Sequence, residues 1–165
     1  MQNYRWASLI GIIAIGFVGA AFGADEDLEK ELEKLNVRPI RHASSPDKHI
    51  YGALFTDGQH KAGDFQKSVP LLKKLKKLAY LYTADVDFTD QDLAAVAQLS
   101  TLEDIKIPSP NVTDKGILQL KSLKKLTSLN VPQSKVTEAG ARALMKELPA
   151  LKEVEIANNQ TVKRK

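Results

Sequence analysis

Leu75-Lys76-Lys77-Leu78-Ala79-Tyr80-Leu81 returns along the chain as Leu99-Ser100-Thr101-Leu102-Glu103-Asp104-Ile105, Leu123-Lys124-Lys125-Leu126-Thr127-Ser128-Leu129 and Leu148-Pro149-Ala150-Leu151-Lys152-Glu153-Val154. The leading leucines are spaced by 24, 24 and 25 residues, a period that belongs to repeat architectures. One such unit cannot bury its own apolar face, so neighbours must stack to make a core. Within each unit the apolar residues fall at offsets 0, 3, 6 and 8, the last two being Leu81 and Thr83, Ile105 and Ile107, Leu129 and Val131, and Val154 and Ile156. Two inward positions separated by one describe a short strand. Five residues on, a second signature recurs as Phe88-Thr89-Asp90-Gln91-Asp92-Leu93, Val112-Thr113-Asp114-Lys115-Gly116-Ile117 and Val136-Thr137-Glu138-Ala139-Gly140-Ala141. The threonine is placed to cap free backbone N–H groups, the acid after it suits the positive end of a helix, and Thr89 with Asp92 approximates a capping box. Helices over residues 89–98, 113–121 and 137–147 follow. Strands alternating with helices at constant handedness give an α/β chain with a parallel inner sheet and outer helices.

The leucine spacing, followed by Val-Thr-Asp-x-Gly-Ile at 112–117, resembles the leucine-rich repeat family in its bacterial Val-Thr-Asp-x-Gly-Leu variety. The resemblance covers residues 75–162 and implies a short leucine-rich repeat solenoid. The asparagine this family carries at offset 11 is replaced by Val86, Pro110 and Ser134, and only Asn159 matches. What the resemblance implies for function is recognition of a protein or other ligand on a curved scaffold, not enzymatic catalysis, with no cofactor.

Working outward to the N-terminus, residues 1–24 have the pattern of an export signal: Arg5, an apolar run over 7–18, then small residues, with cleavage expected before Ala24 or before Phe22. This predicts an exported protein, periplasmic or extracellular, whose membrane contact is confined to the signal segment; a retained anchor is the alternative. A chain without cysteine has no disulfides, so an exported form is held by packing alone. Residues 25–48 divide into an acidic helix at 25–36, with Leu28, Leu32 and Leu35 on one face, and a linker carrying Pro39 and Pro46. The helix suits the role of a cap over the first unit. The repeat domain then spans 49–165, opening with a degenerate unit: a strand at 50–55 and a helix at 64–69 that Pro70 stops. With 43% hydrophobic and 27% charged residues, this is the composition of one small domain. The net charge of +4 becomes +3 without Arg5 and steers association weakly.

Residues at offsets 5 and 7 point away from the core and make two rows, Tyr80, Asp104, Ser128 and Glu153 in one and Tyr82, Lys106, Asn130 and Glu155 in the other. Tyrosine buries a large apolar area and keeps a polar tip, so Tyr80 and Tyr82 are the candidate anchors for a protein partner; the alternative is that they stack on Phe55. Lys73, Lys74, Lys76, Lys77, Lys121, Lys124, Lys125 and the tail Lys163-Arg164-Lys165 outline a rim that would suit an acidic polymer or surface. The rim lacks interleaved aromatics, which argues against nucleic acid. His42, His49 and His60, with Asp47, Asp57 and Asp64 among them, raise a hydrolase or metal site as a further alternative, although no metal-ligand spacing or nucleophile motif is present. Finally, Glu153-Val154-Glu155-Ile156 reads as the last strand, leaving an open edge through which copies could associate into a homo-oligomer.

Overall fold

All three leading positions of every unit are buried, with none of the residues at 75, 78, 81, 99, 102, 105, 123, 126, 129, 148, 151 and 154 more than 4% exposed. The spacing of three has a local cause. In each unit the N–H of the second leucine bonds back to the carbonyl of the first, from Leu78 to Leu75, Leu102 to Leu99, Leu126 to Leu123 and Leu151 to Leu148, at 3.0–3.3 Å. That turn redirects the chain into its strand.

The computed structural model describes residues 23–41, 49–55, 64–84 and 86–164. Helix α1 (Gly23–Lys34) leads to strand β1 (Val37–Arg41) and β2 (Ile50–Phe55), then α2 (Asp64–Leu72), β3 (Tyr80–Thr83), α3 (Asp90–Val96), β4 (Asp104–Lys106), α4 (Asp114–Leu118), β5 (Ser128–Asn130), α5 (Glu138–Glu147), β6 (Glu153–Ile156) and β7 (Gln160–Lys163). Short 3₁₀ turns at Gln119–Ser122 and Ala157–Asn159 extend α4 and join β6 to β7. The result is a mixed α/β fold with one seven-stranded sheet in chain order. The four central pairs from β2 to β6 are parallel and connected through helices, whereas β1–β2 and β6–β7 at the two flanks are antiparallel. The sheet is therefore parallel only at its centre, not throughout as the repeat pattern alone suggests.

One core fills the space between the sheet and the helices. Leu32 of α1, Phe65, Val69 and Leu72 of α2, Leu93 and Val96 of α3, Ile117 of α4, and Leu144 of α5 all join the inward strand residues in a single cluster. Phe65 ties the first unit to the second, its ring 5.2 Å from Phe55 and 4.9 Å from Phe88. Leu28 and Leu35 pack beside Leu32 as the helical stripe requires, and Asn36, at φ 54°, ends α1 in the left-handed conformation that asparagine tolerates.

A second line of bonds crosses the helix starts. The Asp90 carboxylate accepts from the Thr113 N–H at 2.8 Å and the Thr113 hydroxyl at 2.6 Å, one unit further on. Asp114 does the same for Thr137, both at 2.8 Å. Each aspartate lies directly over the glycine of the next unit: a Cβ on Gly116 would sit 2.2 Å from Asp90 Oδ1, and one on Gly140 would sit 2.0 Å from Asp114 Oδ1. The Thr-Asp-x-Gly spacing thus encodes a contact between units as well as a cap within one. At the first of these helices Asp92 stands where the later units have glycine, and its own carboxylate accepts from the Thr89 N–H at 2.9 Å and hydroxyl at 2.8 Å.

Three local expectations are corrected. Residues 37–41, read as part of a linker because of Pro39, form β1; a proline is tolerated there because β1 is the outer strand and owes its far side no donor. Pro70 does not stop α2, which continues to Leu72, with the Lys73 N–H reaching the Val69 carbonyl at 3.0 Å. And β6 is not the edge: β7 folds back over it, pairing Ile156 with Gln160 through Glu153 with Lys163. The C-terminal edge strand through which copies could associate is therefore β7, not β6.

Candidate functional site

The helices cover one face of the sheet, and the strand residues of opposite parity form the other. Strand pairing aligns Tyr80 with Asp104, Ser128 and Glu153, and Tyr82 with Lys106, Asn130 and Glu155, so all eight candidate residues share this open face in two rows. The flanking strands lengthen both rows with residues the repeat pattern does not contain. Ile40, Gly52 and Lys163 extend the first, and Arg38, Leu54 and Thr161 the second. The alternation of Thr161, Val162 and Lys163, with Val162 buried, was the available signal for β7.

Tyr80 and Tyr82 are half-buried, with ring centroids 6.2 Å apart at 48°. They do not stack on Phe55, which points into the core against Phe65. Gly52 lets them settle at the N-terminal side, since a Cβ there would lie 3.0 Å from Tyr80 Cβ and 3.1 Å from Ile40 Cβ. Burial raises the Tyr82 pKa, and the neighbouring Asp104 charge and Tyr80 raise it further. The Asp104 pKa is also raised, first by burial and then by Glu153, with Lys106 acting in the opposite sense. Glu153 is two strands away, and the small Ser128 between them leaves the two carboxylates little screening.

Beyond Ser128 a shallow cavity of about 120 Å³ opens, lined by Ser128, Asn130, Glu153, Glu155, Thr161 and Lys163. The Asn130 Nδ2 donates to Glu155 Oε2 at 2.5 Å. The Asn130 Oδ1 is buried and, among the described residues, has no hydrogen-bond donor.

The other candidate surfaces are less assembled. Lys124 Nζ donates to the Glu147 carbonyl at 3.2 Å, and the Arg164 guanidinium to the carbonyls of Leu148 at 2.6 Å, Leu151 at 3.0 Å and Met145. These cations serve the negative end of α5. Lys73 bridges to Gln98 at 2.7 Å across a groove between α2 and α3, and Lys77 lies 5.7 Å from the Tyr51 ring centre. Of the histidine cluster, His49 is half-buried just before β2, while His42, His60, Asp47 and Asp57 lie outside the described residues. Among the described residues no group of three or more His, Asp or Glu is placed to hold a metal. The segment read as an export signal also lies outside them, up to residue 22, and no described helix is long and apolar enough to cross a membrane.

No family model matches the sequence, and no curated protein matches it. Among solved structures the fold is similar to one described as leiomodin-1 actin-binding site 2, with a TM-score of 0.57 at 15% identity, covering 85% of this chain and 83% of that one.

Proposed function

We propose that this chain is a short, exported leucine-rich repeat solenoid that binds a protein partner through the open face of its sheet and is not an enzyme. Tyr80 and Tyr82 are the anchors, and Asp104, Lys106, Ser128, Asn130, Glu153 and Glu155 set the polarity around them. The observation that carries this reading is the pair of half-buried tyrosines side by side on a sheet face whose other side packs against the described helices. Folding does not need aromatic residues there, whereas recognition gains from rigid side chains that bury much area at small entropic cost. The 24-residue register, the parallel central strands and the threonine–aspartate contacts between units support the solenoid. A structural neighbour described as an actin-binding site supports protein binding as a use of this fold, without naming this chain's partner. Export rests on Arg5 and the apolar run at 7–18.

The test is affinity capture from an envelope extract with the native protein beside a Tyr80→Ala, Tyr82→Ala variant whose circular dichroism shows it folded. A partner held by the first and lost by the second is the expected result. Identical captures from both would remove the open face from consideration.

A further inference from the structure

We infer that the folded domain rests edge-on against an anionic lipid bilayer through the rim where the central strands begin, so that membrane contact extends beyond the segment at 1–24. Lys74 and Lys76 precede β3, Lys121 and Lys125 precede β5, Lys152 precedes β6 and Lys163 closes β7. Parallel pairing brings the starts of β3, β4, β5 and β6 to one end of the sheet, and the antiparallel return of β7 brings Lys163 to the same end, opposite Glu153. These lysines are exposed, and none of their side chains makes a hydrogen bond or ion pair with a described residue. Glu103, Glu147 and Glu153 are the acids among them. The other rim, where the strands end and α3, α4 and α5 start, has the opposite balance, with Asp87, Asp90, Asp92, Asp114 and Glu138 against Lys115 and Lys135. The repeat itself thus separates charge, with lysine in the turn between the leucines and an acid behind the threonine, and it leaves the molecule one cationic end.

The path of the chain points to the same end by an independent route. β1 starts opposite Phe55 and finishes opposite Ile50, so it runs toward the lysine rim. α1 joins β1 through the turn at Leu35-Asn36, and Glu29 bonds to Arg41 at the far end of β1 at 2.6 Å, so the helix runs alongside in the reverse direction. Gly23 therefore stands at the lysine end, about 9 Å of helix beyond Glu29, while the acidic rim lies a full helix length of about 18 Å away. Only residues 19–22 separate Gly23 from the apolar run at 7–18, and they span at most about 14 Å. A bilayer that takes up that run meets the lysine rim first. Asp25, Glu26 and Asp27 begin α1 at one flank, beyond β1, and do not interrupt the row from β3 to β7. Lysine is a point charge on a flexible stem, suited to phosphates spread over a plane more than to one anion held in a fixed fork. The strands stand upright on the bilayer in this pose, which leaves Tyr80 and Tyr82 accessible to a partner.

The test is flotation of the full chain with vesicles of phosphatidylcholine alone or with about one third phosphatidylglycerol. The anionic vesicles should bind at least about tenfold more tightly, and the excess should vanish between about 0.05 and 0.5 M salt. Lys74→Gln, Lys76→Gln, Lys121→Gln, Lys125→Gln should lose that excess, with circular dichroism unchanged, and retain what the apolar run contributes to both kinds of vesicle. The same loss of charge elsewhere, Lys30→Gln, Lys34→Gln, Lys115→Gln, Lys135→Gln, should leave the excess within about twofold. A second measurement leaves the charge intact. The chain has no cysteine, so Ser100→Cys on the lysine rim or Gln133→Cys on the other, both at exposed positions, takes up an environment-sensitive dye at one place. The dye at residue 100 should shift to the blue on anionic vesicles, and the dye at residue 133 should not. Equal binding to both kinds of vesicle, equal losses in the two lysine variants, or equal shifts at the two dyes overturns the inference. So does tighter binding to dissolved polyglutamate than to the anionic vesicles, which would make an acidic polymer the occupant of the rim.

Discussion

Gly116 and Gly140 have ordinary backbone angles, so what they contribute is space for the carboxylate of the preceding unit. Gly116→Ala would push Asp90 off Thr113 and should destabilise the fold by about 1–3 kcal/mol in urea unfolding. In an Asp90→Ala background the same change should cost little or even stabilise, because alanine is the better helix residue by roughly 0.5–1 kcal/mol; additivity of the two substitutions would refute the contact. This arrangement was only partly legible in the sequence. The threonine caps follow from local rules, but Asp90 and Asp114 look locally like residues suited to the helix dipole. Their actual partners are 23 residues away, and only the joint recurrence of threonine, aspartate and glycine at one period hints at it. Asp104 supplies a pH-dependent counterpart on the open face. Because its pKa is raised in the folded state, folding favours its protonated form, and that stability is present below the ordinary value of 3.8 and lost as pH rises through the higher folded value. Asp104→Asn should therefore raise the melting temperature at pH 7, with the gain shrinking as the solution is acidified into the window just above 3.8. A gain independent of pH would show that the charge is not its source.

At the scale of elements, proline was the residue most easily misread. Its local chemistry forbids an N–H donor but does not say whether one is needed. Pro39 sits in β1, which among the described strands is the outermost, and the helix α2 runs past Pro70 because only the bond to the Gln66 carbonyl is forfeited. Replacing Pro70 by alanine restores that donor and should stabilise α2 by up to about 3 kcal/mol, read as an increase in the denaturation midpoint with unchanged slope. A loss of stability would mean that the ring itself packs in the groove beside Val69 and Ala94. The leucine-anchored strands were legible because each apolar position has a short-range reason, the turn between the first two leucines, as well as a place in the core. Strand β7 was not, since four residues after Asn158-Asn159 carry too little pattern to be separated from a tail. Both asparagines adopt positive φ, 59° and 57°, which is what lets the chain reverse so tightly.

For the whole molecule, the consequence of β7 is that the edge of the sheet moves one strand outward, from β6 to β7. It covers β6, adds Val162 to the core, and brings Arg164 onto the last carbonyls of α5. Removal of residues 160–165 should expose the β6 backbone and leave those carbonyls without their cation. The shortened chain is expected to self-associate with rising concentration in light scattering, whereas the full chain keeps a constant mass over the same range. Constant mass for both would show that β6 does not need its cover.

The two rows of the open face follow from the repeat; the residues that extend them at either side do not, because β1 and β7 run against the repeat direction and β2 belongs to a unit that lacks the leucine pattern. The substitution of Asp92 for glycine has a further implication for building longer versions of this protein. Each aspartate addresses the glycine that follows it, so a duplicated copy of residues 114–137 would find both an incoming carboxylate and an empty space to receive it. A copy placed ahead of Thr89 would direct its aspartate at a position already filled by Asp92, setting one negative charge against another. Asp92 thus behaves as a start mark: the array is extensible from within but not in front, and behind α5 the aspartate is replaced by Glu138, which pairs with Arg142.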